Sequence, residues 1–155
     1  MGGVNNQSLR DIWAFDINTN TWIQRNNFPS TARDLGSYFN LDNTGYIIGG
    51  FTGSTQLRDV WTYNINNDSW TRSIDYPGTE TYRLGVINSQ NLRAYMINGT
   101  ETWEYNISGN AWLQKNNFVG TPRFQDIVIV ISGRIFFGLG KRNNSIYGDF
   151  WEFIP

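Results

Sequence analysis

Apolar residues recur along this chain in short alternating runs. Four of the runs centre on a tryptophan with a second aromatic two residues on: Trp13 and Phe15, Trp61 and Tyr63, Trp103 and Tyr105, Trp151 and Phe153. Residues two apart share one face of a strand, so each pair predicts an apolar strand face. In the first three runs another tryptophan follows: Trp22, Trp70 and Trp112. The stretches between, Asn18-Thr19-Asn20, Asn66-Asn67-Asp68 and Ser108-Gly109-Asn110, are residues that tolerate left-handed turns. Each unit is therefore predicted to be a β-hairpin.

Two more apolar strands are expected upstream of each hairpin. One ends in glycine, as in Tyr46-Ile47-Ile48 before Gly49-Gly50; its counterparts are Tyr95-Met96-Ile97 before Gly99 and Ile135-Phe136-Phe137 before Gly140. The other begins at an arginine, Arg33, Arg83 or Arg123. The last of these contains Ile127-Val128-Ile129-Val130-Ile131, apolar at every position and so expected to be buried on both faces. Four strands per unit result, here called a to d in chain order. The leading tryptophans are spaced 48, 42 and 48 residues apart, a period that marks a repeated supersecondary unit. In the short third copy Gly99 stands only four residues before Trp103, so that copy has lost its b–c loop and kept its strands.

Gly-Gly after an apolar strand, a loop, then Asp59-Val60-Trp61-Thr62-Tyr63 and Trp70 resembles the kelch repeat. The other copies match with losses: Asn98 and Leu139 stand where Gly49 does. The resemblance covers essentially the whole chain and implies an all-β fold. It implies kelch-type β-propeller blades of four antiparallel strands, a innermost and d outermost. The expected organisation is one propeller segment over residues 1–155: a half blade c-d at 1–24, blades at 33–73 and 82–115, and a blade lacking strand d at 123–155. Met1-Gly2-Gly3 occupies the place of Ile48-Gly49-Gly50. About three blades cannot close a ring, since propellers hold about four to eight. The chain is expected either as part of a longer propeller or as half of a head-to-tail ring of about six blades.

Composition removes several functions. The 155 residues contain no His and no Cys, so the commonest metal ligands, the commonest general base and all thiol chemistry are missing. No cofactor, metal site or catalytic residue is expected. The copper chemistry of galactose oxidase, whose propeller is similar, needs His ligands and a Cys–Tyr cross-link that this chain lacks. Net charge is −1, which gives no electrostatic footprint for nucleic acid. No apolar run is long enough to span a membrane, and the first residues do not read as a signal peptide. The compartment stays open, a cell surface included if the chain is a fragment.

The acids Asp11, Asp59, Glu101 and Asp149 recur two residues before each leading tryptophan and read as structural, holding the b–c turn. Asp42-Asn43-Thr44-Gly45 reads as a plain a–b turn, lacking the spaced ligands of a calcium loop. Arg33, Arg83 and Arg123 would stand near the mouth of a central channel. There they are candidate carboxylate binders, or else bond to neighbouring blade carbonyls. The b–c loops at 51–56 and 141–147 and the similar d–a loops at 24–29 and 114–119 share one end of the propeller, where binding is expected. From them Phe51, Gln56, Arg142 and Tyr147 join the three arginines as candidate binding residues. The resemblance implies a non-enzymatic interaction module for a protein or glycan. The alternatives are a kelch-type sugar-acid epimerase or mutarotase, with Glu80 and Glu101 as acid–base candidates, and a structural segment of a larger cell-surface protein.

Overall fold

A computed structural model of the chain describes residues 9–79, 85–89, 92–124 and 126–154, the side chains of 85–89 excepted. The comparison of Met1-Gly2-Gly3 with Ile48-Gly49-Gly50 and the candidates Arg83 and Glu80 lie outside the described residues. Every regular element described is a β-strand. The first sheet pairs β1 (Ile12–Asp16) with β2 (Thr21–Arg25). The second has four strands in chain order, β3 (Ser37–Leu41), β4 (Thr44–Thr52), β5 (Thr55–Asn64) and β6 (Ser69–Arg72). The third repeats it with β7 (Gly85–Ser89), β8 (Arg93–Asn98), β9 (Glu101–Asn106) and β10 (Ala111–Gln114). The fourth has β11 (Ile127–Ile131), β12 (Arg134–Gly138) and β15 (Phe150–Phe153). A small hairpin of β13 (Lys141–Arg142) and β14 (Ser145–Ile146) projects between its last two strands.

All pairings are antiparallel, and each meander runs from one strand to its neighbour through a short turn. β8 and β9 are joined by Gly99-Thr100 alone, so the 42-residue copy is indeed the one without a b–c loop. Asp42 and Asn43 form the plain β3–β4 turn. In the long-loop copies the b strand must cross the start of its a strand, and Gly50 permits this. It takes φ 106°, beside a bulge after Ile48, and a Cβ there would sit 2.8 Å from the Asp34 carbonyl.

The leading strands β3, β7 and β11 lie side by side in that order, so the sheets radiate from a common axis with strand a innermost. Between the second and third sheets, Phe39, Tyr46, Ile48 and Val60 from one face meet Ala94, Met96 and Tyr105 from the other. Between the third and fourth, Tyr95 and Ile97 meet Ile135 and Phe137, with Val128 and Phe153 alongside. These are face-to-face blade contacts, the source of stability in stacked repeats.

The apolar run in β11 departs from its expected burial on both faces. Val128 packs inward, but Ile127, Ile129 and Ile131 are 45%, 38% and 54% exposed. These three share the face turned away from the third sheet, and no further sheet of the described residues covers it. An unbroken apolar run thus signals here one uncovered apolar face and one covered only in part, since Val130 on the Val128 face is itself 41% exposed.

Candidate functional site

Arg33 and Asp59 come together at the top of the second sheet. Arg33 is 2% exposed, and its Nη2 donates to Asp59 Oδ2 at 2.8 Å. Its other donors reach the Thr31 carbonyl at 3.1 Å and the Gly49 carbonyl at 3.0 Å, and the Phe28 ring lies 4.7 Å from the guanidinium carbon. Asp59 also accepts from the Trp61 indole at 2.7 Å and Ser30 Oγ at 3.1 Å. Burial works to raise this carboxyl, but the hydrogen bonds from Arg33 and Trp61 outweigh it and hold the group below the ordinary carboxylate range. The fourth sheet repeats the device. Arg123 is bidentate to Asp149 and donates to the Thr121 carbonyl at 3.0 Å and the Leu139 carbonyl at 3.2 Å. The Arg123 hydrogen bond, aided by that of Trp151, holds Asp149 far below its usual value.

Two of the candidate carboxylate binders are therefore used up inside their own blades. Arg33 and Arg123 are buried and chelated, so neither guanidinium faces a ligand. The carbonyls they bond belong to their own repeats rather than to the neighbouring blades expected from sequence, and the paired aspartate is an addition that the sequence reading lacks. The recurring acids hold more than a turn, since each accepts the indole N–H of the tryptophan two residues on. The distances are 2.8 Å for Asp11, 2.7 Å for Asp59, 3.3 Å for Glu101 and 2.7 Å for Asp149. Glu101, one of the acid–base candidates, also receives the backbone N–H and hydroxyl of Thr79, at 3.0 Å each.

The d–a segments are wedges rather than free loops. Phe28 is 1% exposed, with its ring 5.7 Å from Trp61 and 5.2 Å from Trp70 of the next sheet. Tyr76 does the same against Trp103 and Trp112, and Phe118 against Phe137 and Trp151. The sequence signal was present, since each stands six residues after a second tryptophan or its unit's equivalent: Trp22, Trp70, Trp112. Polar neighbours masked it.

What stays open at this end is a groove of 430 Å³ beside the b–c hairpin of the second sheet. Gln56, Arg58, Trp61 and the Arg72–Asp75 ion pair line it. Phe51 and Gln56 face one another across that hairpin. In the fourth sheet Arg142 is exposed on β13, while the Tyr147 ring stacks 4.5 Å from the Arg123 guanidinium and serves the buried pair. Arg58 and Arg72, which the sequence pattern did not single out, supply the groove's positive charge. Among the described residues Asp126 is the one carboxyl lifted markedly, to about 6, by burial that its own backbone N–H and the Arg123 charge only partly offset. Among the described residues no three His, Cys, Asp or Glu side chains converge as a metal site would require.

Four-stranded antiparallel sheets fanned about shared inner strands, each pinned to the next by an aromatic wedge, define the chain as a segment of a β-propeller. The kelch motif model matches residues 1–29 and 42–73, the second stretch running from the β3–β4 turn to the end of β6. Over these two stretches the chain carries kelch repeats. No curated protein matches it.

Proposed function

We propose that this protein is a non-enzymatic interaction module that grips another protein at the end of the propeller carrying the b–c loops. The observation that supports this is the groove beside Gln56, Arg58 and Trp61. It combines an aromatic, two arginines and two aspartates on a rigid sheet end, with the aromatic and arginine content that binding patches favour. Kelch repeats commonly serve as protein-interaction modules. Tyrosine-, tryptophan- and arginine-bearing surfaces concentrate binding energy in a few residues, so Arg58 and Trp61 carry most of the expected affinity.

A photo-reactive residue at position 56, on the wall of the groove, is expected to cross-link a partner that the same group at position 67, on the opposite c–d turn, does not. Arg58→Glu is expected to abolish that product. Equal cross-linking from both ends would overturn the reading. A carbohydrate-active enzyme is the second reading, and Asp126 is the observation that favours it. A buried carboxyl titrating near neutrality beside an arginine is the usual form of a general acid. Saturable turnover of a sugar acid, lost in Asp126→Asn with folding intact, would be its test.

A further inference from the structure

The two long b–c hairpins match residue for residue. In the second sheet Phe51 pairs with Gln56 and Thr52 with Thr55; in the fourth Lys141 pairs with Ile146 and Arg142 with Ser145. Both are anchored alike, Phe51 to Asp34 and Lys141 to Phe124, by reciprocal backbone hydrogen bonds. Their side chains differ. The second hairpin ends in Thr52-Gly53-Ser54-Thr55, polar and uncharged. The fourth carries Lys141, Arg142 and Ile146, all exposed, with Ile146 at 87%. Repeat geometry is met by the polar hairpin, so it does not account for two cations and a branched aliphatic at the other.

A second apolar side chain stands beside this tip. The rings of Phe118 and Tyr147 stack 5.3 Å and 4.5 Å from the Arg123 guanidinium, which places their sequence neighbours Val119 and Ile146 at one end of the sheet. Val119 is 86% exposed. Lys141 and Ile146 are cross-strand partners and so share a face of the hairpin. Among the described residues neither Lys141 nor Arg142 forms an ion pair, whereas the Arg123 charge is cancelled by Asp149. The tip is therefore protruding, positive and aliphatic.

We infer that this hairpin is a peripheral anchor for an anionic lipid bilayer. Ile146 and Val119 enter the interface, and Lys141 and Arg142 hold the phosphate headgroups. Shape favours lipid over protein as the occupant. A protein partner needs roughly 800 Å² of matching surface from this side, which a fingertip of two short strands does not offer. A fluid bilayer requires no such match. Residue type points the same way, because protein hot spots favour tryptophan, tyrosine and arginine seated in pockets, and here bare aliphatics project instead. Charge supplies the third reason: two unpaired cations complement an anionic surface. Each signal is weak alone; together they give reversible adhesion that salt diminishes.

The chain has no cysteine, so Ile146→Cys offers a unique attachment point for an environment-sensitive dye. Asn67→Cys, on the opposite c–d turn, is the control. The probe is vesicles of equal parts phosphatidylserine and phosphatidylcholine, set against phosphatidylcholine alone. Dye at position 146 should brighten and shift to the blue with the anionic vesicles only, and dye at position 67 should not respond. The unlabelled chain should float with the same vesicles, less so as salt rises. One basic residue near such a surface contributes about a fivefold gain, so Lys141→Gln combined with Arg142→Gln should weaken flotation about twentyfold. Ile146→Ser should weaken it as well. These side chains are exposed, and thermal unfolding measured beside the binding separates lost adhesion from lost fold. Arg58→Glu should leave flotation unaltered. Absent flotation, equal binding to phosphatidylcholine alone, an equal response at position 67 or indifference to Ile146→Ser would each overturn the inference. A dye response to polyglutamate but not to vesicles would identify an acidic protein as the occupant and overturn it too. All these outcomes leave the groove beside Arg58 to its own cross-linking test.

Discussion

Asp59 satisfies a buried arginine, an indole and a serine hydroxyl at once, and the consequences of losing it follow from burial. Arg33 would be left with an uncompensated charge, its side chain being 1% exposed against 14% for Asp59. Breaking such a pair costs about 3–5 kcal/mol, so Asp59→Asn should lower the free energy of urea unfolding by roughly 3 kcal/mol. Its pH dependence has a definite sign. The folded carboxyl lies below the unfolded value of 3.8, so its contribution is complete above that pH and is lost as pH falls through the lower folded value. Asp126 runs the other way. Its folded value of about 6 lies above 3.8, so the folded state holds the proton more tightly, and stability falls as pH rises from 3.8 to about 6. Asp126→Asn should flatten that slope, read from urea midpoints across the interval. Leu139 adds a backbone case. It stands where Gly49 does and adopts φ 56° against 58° for that glycine, a left-handed geometry costing a branched residue about 1 kcal/mol. Leu139→Gly should recover about that amount by the same measurement. At this scale the recurring acid was legible because it repeats beside each tryptophan. Its arginine partner was not: the 26 residues from Arg33 to Asp59 cross three strands, and only the fold brings the ends together.

Among the elements, the wedges decide how one sheet seats on the next. Phe28 and Tyr76 are each 1% exposed and contact two tryptophans of the following sheet. Phe28→Ala should therefore cost about 3–5 kcal/mol, the usual range for emptying an aromatic site. Tyr76 offers a sharper test. Its hydroxyl is buried with no hydrogen-bond partner among the described residues, and burial pushes its ionisation well above the ordinary tyrosine value. An unpaired buried hydroxyl costs about 1–3 kcal/mol, and phenylalanine occupies the equivalent positions 28 and 118. Tyr76→Phe should thus raise the thermal midpoint, and a fall would show that the hydroxyl has a role the packing does not reveal. The strands themselves were readable from alternation, turn residues and period, because those express local backbone geometry. The wedges were not, since a lone aromatic among asparagines carries no periodicity, and its burial depends on a neighbouring sheet. The misreading of Ile127 to Ile131 has the same root: apolarity records that a face is to be covered, not what covers it.

At the scale of the whole molecule two uncovered faces point in opposite directions around the propeller axis. One is the outward face of the fourth sheet, with Ile127, Ile129 and Ile131 beside the stacked rings of Phe136 and Phe150. The other is on the first sheet, where Trp13, Phe15 and Trp22 are 49%, 44% and 66% exposed. Contiguous apolar patches of this kind drive association. Inside the chain an aliphatic-rich face already meets an aromatic one, as Ile97 meets Phe137 and Phe153. Light scattering should therefore give a mass that climbs above 17.9 kDa with concentration, and Ile129→Lys should reduce it. The direction of the contact is testable with a second variant, Trp22→Lys. If the two unlike faces meet head to tail, each variant retains one competent face. Each alone is then monomeric, and an equimolar mixture of the two forms a dimer and stops there. If each face met its own copy, Ile129→Lys would still pair through its tryptophans and Trp22→Lys through its isoleucines. The mixture would then contain only the two separate homodimers, a result that mass measurement on differently labelled variants distinguishes directly.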